Sequence, residues 1–65
     1  MIEITFPNGN KHYFSYLEDI AEKLTKYFGR EVLVSDYEFQ LEPPESDFII
    51  FGLKFHFKQY EKNNQ

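Results

Sequence analysis

"DFIIFGLKFHFKQY" spans Asp47 to Tyr60, and its reading decides how the rest of the chain is arranged. Odd positions are apolar throughout: Ile49, Phe51, Leu53, Phe55 and Phe57. Even positions begin apolar at Phe48 and Ile50, pass through Gly52 and become basic at Lys54, His56 and Lys58. Side chains alternate across a strand, so one face of this segment changes character at a glycine. Read as one strand, the eleven residues Phe48 to Lys58 extend roughly 36 Å at about 3.3 Å each. A compact chain of this size has a radius of gyration near 11 Å, a diameter of roughly 28 Å. Such a strand is expected either to bend at Gly52 or to project and pair with a second chain.

The segment before it, "EVLVSDYEFQLE" (Glu31–Glu42), places Leu33, Tyr37, Phe39 and Leu41 on one side, with Asp36, Glu38 and Glu42 on the other. Pairing the two antiparallel around a loop from Pro43 to Asp47 sets Leu41 opposite Ile49, Phe39 opposite Phe51 and Tyr37 opposite Leu53. All odd apolar residues then share one face, and a slip of one residue would destroy that match. On the reverse side Asp36 is expected opposite Lys54.

Earlier in the chain, Ile2, Ile4 and Phe6 alternate with Glu3 and Thr5, and "PNGN" follows, a hairpin signal. A three-residue loop at Asn8–Asn10 sets Ile4 opposite Phe14, keeping both on one face. "SYLE" (Ser15–Glu18) has the form of a capping box. Leu17, Ile20, Ala21, Leu24 and Phe28 recur at helical spacing, with Gly29 at the position of a left-handed cap. A helix over about 16–28 is predicted, carrying Asp19–Lys23 and Glu22–Lys26 as i,i+4 pairs. The fold class expected is α+β: two β-hairpins joined by one helix (ββαββ), packed on a four-stranded, mostly antiparallel sheet. Residues 1–60 form one small domain, and 61–65, "EKNNQ", a polar tail. The strand order stays open; strand 1 beside strand 4 would make it β-grasp-like.

Composition bounds the chemistry. At 65 residues the core is small, and eight Phe and five Tyr must supply its bulk. There is no cysteine, which excludes disulfides and thiolate metal sites. His12 and His56 have no ligand partner at metal spacing, so no metal and no cofactor are expected. Ser15, Ser35 and Ser46 pair with no local base, so the chain is not expected to be an enzyme. A net charge of −4 with a single arginine, Arg30, speaks against a general phosphate-binding surface. In "LKFHFKQY" the aromatic Phe55 and Phe57 lie on one face and Lys54, His56 and Lys58 on the other, which separates the two chemistries that nucleic acid would need together. No run is long enough to span a membrane, and "MIEITF" lacks the features of a signal peptide. A cytoplasmic location is expected.

The acidic residues carry the sharper functional reading. Asp36, Glu38, Glu42, Glu45 and Asp47, with the apolar Phe48 and Ile50 among them, are the candidate partner-binding residues. Apolar groups inside an acidic rim are characteristic of a protein-binding site. The expected partner is a protein with a basic surface. A homodimer through the last strand is also expected, since the helix leaves Phe48 and Ile50 short of cover.

"ITFPNGNKHYF" followed by "LEDIAEKL" (Ile4–Leu24) resembles the opening of the TGS and thiamine sulfur-carrier type of β-grasp domain, over about a third of the chain. The sulfur carriers act through a C-terminal Gly-Gly; this chain ends "KNNQ", so that activity is not implied. The TGS likeness implies an RNA-associated or accessory domain. "DIAEK", Gly29, "LV" and "PESD" also occur in an order similar to that of phage uracil-DNA glycosylase inhibitors. "SDYEF" stands here where those inhibitors carry an acidic-Ser-Ile wedge. The leading reading from the sequence is a non-enzymatic phage or mobile-element inhibitor that occupies a basic nucleic-acid-binding surface.

Overall fold

A computed structural model of the chain describes residues 1–60; the predicted polar tail at 61–65 lies outside the described residues. Four strands, β1 (Ile2–Thr5), β2 (Lys11–Phe14), β3 (Glu45–Ile50) and β4 (Leu53–Gln59), form one sheet in the order β2-β1-β4-β3. Every neighbouring pair is antiparallel, including β1 with β4. One helix, α1 (Leu17–Phe28), lies between the hairpins. The α+β class and the two-hairpin arrangement are therefore as the periodicity predicts.

The second hairpin is not where the sequence placed it. Phe48–Lys58 is not one strand: the chain reverses at Phe51–Gly52, with Ile50 opposite Leu53. Phe51 lies at φ 49 and Gly52 at φ 80. Positive φ at both central residues is what a type I′ two-residue turn requires, and its twist matches that of the strands it joins. A two-residue turn also flips the parity of the buried face. Before it the even residues Phe48 and Ile50 point inward; after it the odd residues Phe55 and Phe57 do. The face that changes character at Gly52 is thus two faces of two strands. The length argument for pairing with a second chain falls away, as does the exposed position expected for Phe48 and Ile50, which are core residues.

Residues 33–41 are likewise not a strand but two short 3-10 turns, Val34–Asp36 and Glu38–Gln40. Asp36 decides the first: its carboxylate accepts the Leu33 N–H at 2.9 Å, while its own N–H donates to the Leu33 carbonyl. Short polar side chains offer the backbone such local partners in competition with a ladder. Lys54 consequently has Asp47, not Asp36, as its nearest acid, at 3.8 Å.

The first hairpin keeps the expected parity with a register shifted by two. Ile4 faces His12 and Ile2 faces Phe14, because the three-residue loop is Pro7–Gly9, closed by Phe6 and Asn10. The helix runs nearly as predicted and ends on Gly29 at φ 70, whose N–H donates to the Thr25 carbonyl. Its start differs: Tyr16 is the N-cap and makes no side-chain cap, so the Ser15–Glu18 box does not form. Neither Asp19–Lys23 nor Glu22–Lys26 closes to an ion pair.

The core lies between one face of the sheet and a layer made by α1 and the 3-10 segment. Ile20 and Leu24 from the helix, Val32 and Tyr37 from the segment, and Ile4, Phe48, Phe55 and Phe57 from the sheet are all buried. Phe48 and Phe55 stack with centroids 5.4 Å apart. A helix of twelve residues reaches only about 18 Å, so the segment's Tyr37 is needed to cover Phe48.

Candidate functional site

Among the five acidic residues singled out above, the fold draws a division. Glu45 and Asp47 project from the outer face of β3, and both are occupied. His56, opposite Asp47 on β4, stands between them, with Nδ1 2.7 Å from Asp47 and Nε2 2.6 Å from Glu45. An ionised carboxylate only accepts hydrogen bonds, so both bonds form together only when the ring is the imidazolium with two N–H donors. Accordingly the His56 pKa is raised, chiefly by the Asp47 bond and then by the Glu45 bond. That of Asp47 is lowered by the same contact.

Asp36, Glu38 and Glu42 sit instead on the segment that precedes β3. Among the described residues none of the three has an ion-pair partner. The segment is held by its own polar stitching: Ser46 Oγ accepts the Glu42 N–H and donates to the Gln40 carbonyl. The Gln40 side chain spans to the edge of β3, donating to the Ile49 carbonyl at 3.0 Å and accepting the Ile49 N–H at 2.9 Å. An amide here substitutes for a neighbouring strand and blunts a sheet edge.

Where this segment leaves the N-terminus of α1, the layer over the sheet is incomplete. A cleft of about 310 Å³ opens there. Ile2, Phe57 and the polar Gln59 of the sheet form its floor, Leu17, Leu41 and Pro43 its walls, and Glu38 is the one charged side chain that lines it. Tyr37 fixes the spacing of the two walls, because its buried hydroxyl donates to the Leu17 carbonyl at 2.5 Å. Burial raises the Tyr37 pKa above the ordinary tyrosine range, and the negative charges of Glu18, Glu38 and Asp36 add to this. Of those three carboxylates Glu38 lines the cleft. Phe48 and Ile50 are buried in the core, whereas the apolar residues that lie beside Glu38 in this cleft are Leu17, Leu41 and Pro43. Period-two reading of residues 33–41 concealed it; the pair Pro43–Pro44, which ends any ladder, was the signal that Leu41 and Pro43 belong to a covering loop.

The outer face of the sheet carries a second polar network. Glu3 is buried there, 4% exposed, with Lys11 Nζ 3.0 Å from one carboxylate oxygen and the Tyr60 hydroxyl donating to the other. These bonds, Tyr60 first, lower the Glu3 pKa; in return that of Lys11 is raised and that of Tyr60 is pushed up to about 12. Lys58 lies over the Tyr60 ring, 5.0 Å from its centroid. Phe55 and Phe57 face the core and Lys54, His56 and Lys58 face outward, as expected, but Tyr13 and Tyr60 are exposed.

Among the described residues no group of three or more His, Cys, Asp or Glu could hold a metal ion, and no helix is long and apolar enough to cross a membrane. No family model matches the chain, and neither a curated protein nor a solved structure matches it.

Proposed function

We propose that the protein is a small, non-enzymatic protein-binding module that presents Asp36, Glu38 and Glu42 to a protein with a basic surface. In its sharpest form it is a phage or mobile-element inhibitor that occupies a nucleic-acid-binding surface of its target. The observation that carries the reading is the division of the acidic residues. Glu45 and Asp47 are paired internally with His56, whereas among the described residues Asp36, Glu38 and Glu42, on one segment, have no ion-pair partner, and Glu38 lines the cleft. Unpaired charge at a rim steers association and selects a complementary partner. The test is inhibition of a panel of nucleases and DNA glycosylases by the purified protein and by its D36N/E38Q/E42Q variant. Loss of inhibition by roughly tenfold or more is expected from removing three steering charges; unchanged inhibition defeats the assignment.

A second reading, an RNA-associated accessory domain of the TGS type, is supported by one feature. The outer sheet face brings Tyr13 and Tyr60 together with Lys11, Lys54 and Lys58. Aromatic faces beside cations stack and hold single strands. Fluorescence anisotropy with single-stranded RNA separates the two, since only this reading expects salt-sensitive binding that K11A and K58A weaken.

A further inference from the structure

We propose that the cleft between the N-terminus of α1 and the 39–43 segment receives one large apolar side chain of the protein partner, flanked in the partner's sequence by Lys or Arg. The inference rests on the protein-binding reading and specifies its partner. Three observations support it. The floor of the cleft is Ile2, Phe57 and Gln59, and its two apolar members are almost fully buried, so an inserted group would rest on core side chains at the edge of the covering layer. The walls Leu17, Leu41 and Pro43 are apolar, with polar partners only at Gln59 and Glu38. The body of an inserted group is therefore favoured to be apolar, because a polar one against those walls would lose its water without a partner. The rim is acidic: Glu38 lines the opening, Glu42 lies between the wall residues Leu41 and Pro43, and Glu18 adjoins Leu17. A cation on either side of the inserted group is thereby favoured and an anion opposed. At about 310 Å³ the site is at the lower end of ligand cavities and is suited to one side chain and its adjoining backbone.

The test uses the whole protein, labelled with nitrogen-15, and three short blocked peptides, Gly-Lys-Phe-Lys-Gly, Gly-Lys-Ser-Lys-Gly and Gly-Glu-Phe-Glu-Gly. The first is expected to shift the amide signals of Leu17, Leu41 and Phe57 saturably, with a dissociation constant in the millimolar range. Replacing its Phe by Ser is expected to weaken binding at least about tenfold, from the loss of one buried side chain. E38Q is expected to weaken it roughly two- to fivefold, as for an exposed ion pair. The inference is overturned if the first peptide leaves these amides unmoved up to about 10 mM, or if the acidic peptide binds equally well. Failure here is distinguishable from failure of the broader reading. If D36N/E38Q/E42Q abolishes inhibition while the peptides miss the cleft, only the cleft assignment falls. If Gly-Lys-Phe-Lys-Gly binds the cleft while that variant inhibits normally, only the inhibitor reading falls.

Discussion

The Phe51 ring meets the Phe28 ring edge-on, with centroids 5.0 Å apart and planes at 90°, although Phe51 lies at φ 49. A bulky residue in the left-handed region sacrifices roughly 1–2 kcal/mol relative to its preferred backbone. The edge-to-face contact returns roughly 0.5–1.5 kcal/mol. The Arg30 guanidinium, 4.1 Å from the Phe51 centroid, adds about 0.5–1 kcal/mol. The two sides nearly balance, which is why phenylalanine survives in a position that suits asparagine.

That balance yields the first prediction. F51A loses the ring contacts and keeps the backbone strain, so it should destabilise the protein by about 1–2 kcal/mol. F51N also loses the ring, but asparagine accepts the left-handed conformation and forms the favoured Asn-Gly turn with Gly52. Its stability should lie within about 1 kcal/mol of the parent. Urea unfolding of the three proteins checks the order, and F51N as unstable as F51A would contradict it.

The His56 clamp sets a pH dependence. A histidine whose folded pKa is raised above the usual 6.5 contributes stability that is complete below that value. The contribution is lost as pH rises through the folded pKa. Asp47 works from the other end: its folded pKa is lowered from 3.8, so its contribution is present above that value and lost on acidification through the folded one. Stability should therefore be greatest between about pH 4 and 6.5 as far as this cluster is concerned. Above that window it should decline in the parent but not in H56Q. Melting curves from pH 5 to 9, with the His56 ring followed by NMR, test both the slope and the raised pKa.

Gln40 guards the edge of β3. Q40A removes two hydrogen bonds to the Ile49 backbone and should cost about 1–2 kcal/mol. Q40E discriminates between packing and hydrogen bonding. Its carboxylate still accepts the Ile49 N–H but faces the Ile49 carbonyl with no donor, so it should destabilise despite near-identical shape. Light scattering should show more self-association of Q40A than of the parent, because an uncovered strand edge is a template for pairing.

Much of this architecture is readable from residue spacing, and the exceptions share a cause. The α1 stripe of Leu17, Ile20, Ala21, Leu24 and Phe28 has a period no strand can use, and Gly29 ends it by its left-handed conformation. Residues 32–41 show only alternation, which a run of 3-10 turns imitates when it buries Val32 and Tyr37 and leaves Leu33 and Phe39 in water. Phe51–Gly52 lacks the Asn or Asp that usually announces a type I′ turn, so the parity flip there was invisible. Once Asp36, Glu38 and Glu42 are placed on a covering segment instead of a strand, their apolar neighbours become Leu17, Leu41 and Pro43.

Tyr37 joins that segment to the helix, and the last prediction concerns it. Its ring fills the core against Phe48, and its hydroxyl donates to the Leu17 carbonyl. Y37F retains the ring and loses one bond, so it should destabilise by about 1–1.5 kcal/mol. Y37A also opens a cavity and should cost about 3–5 kcal/mol, as for other large aromatic truncations. The hydroxyl gives a further signature. Because burial and three nearby carboxylates raise its folded pKa above the usual 10.0, the unfolded chain releases this proton first as the solution becomes alkaline. Stability should then fall with rising pH above about 10, and Y37F should remove that part of the fall. An alkaline limb equally steep in Y37F would show that the Tyr37 hydroxyl is not buried as described.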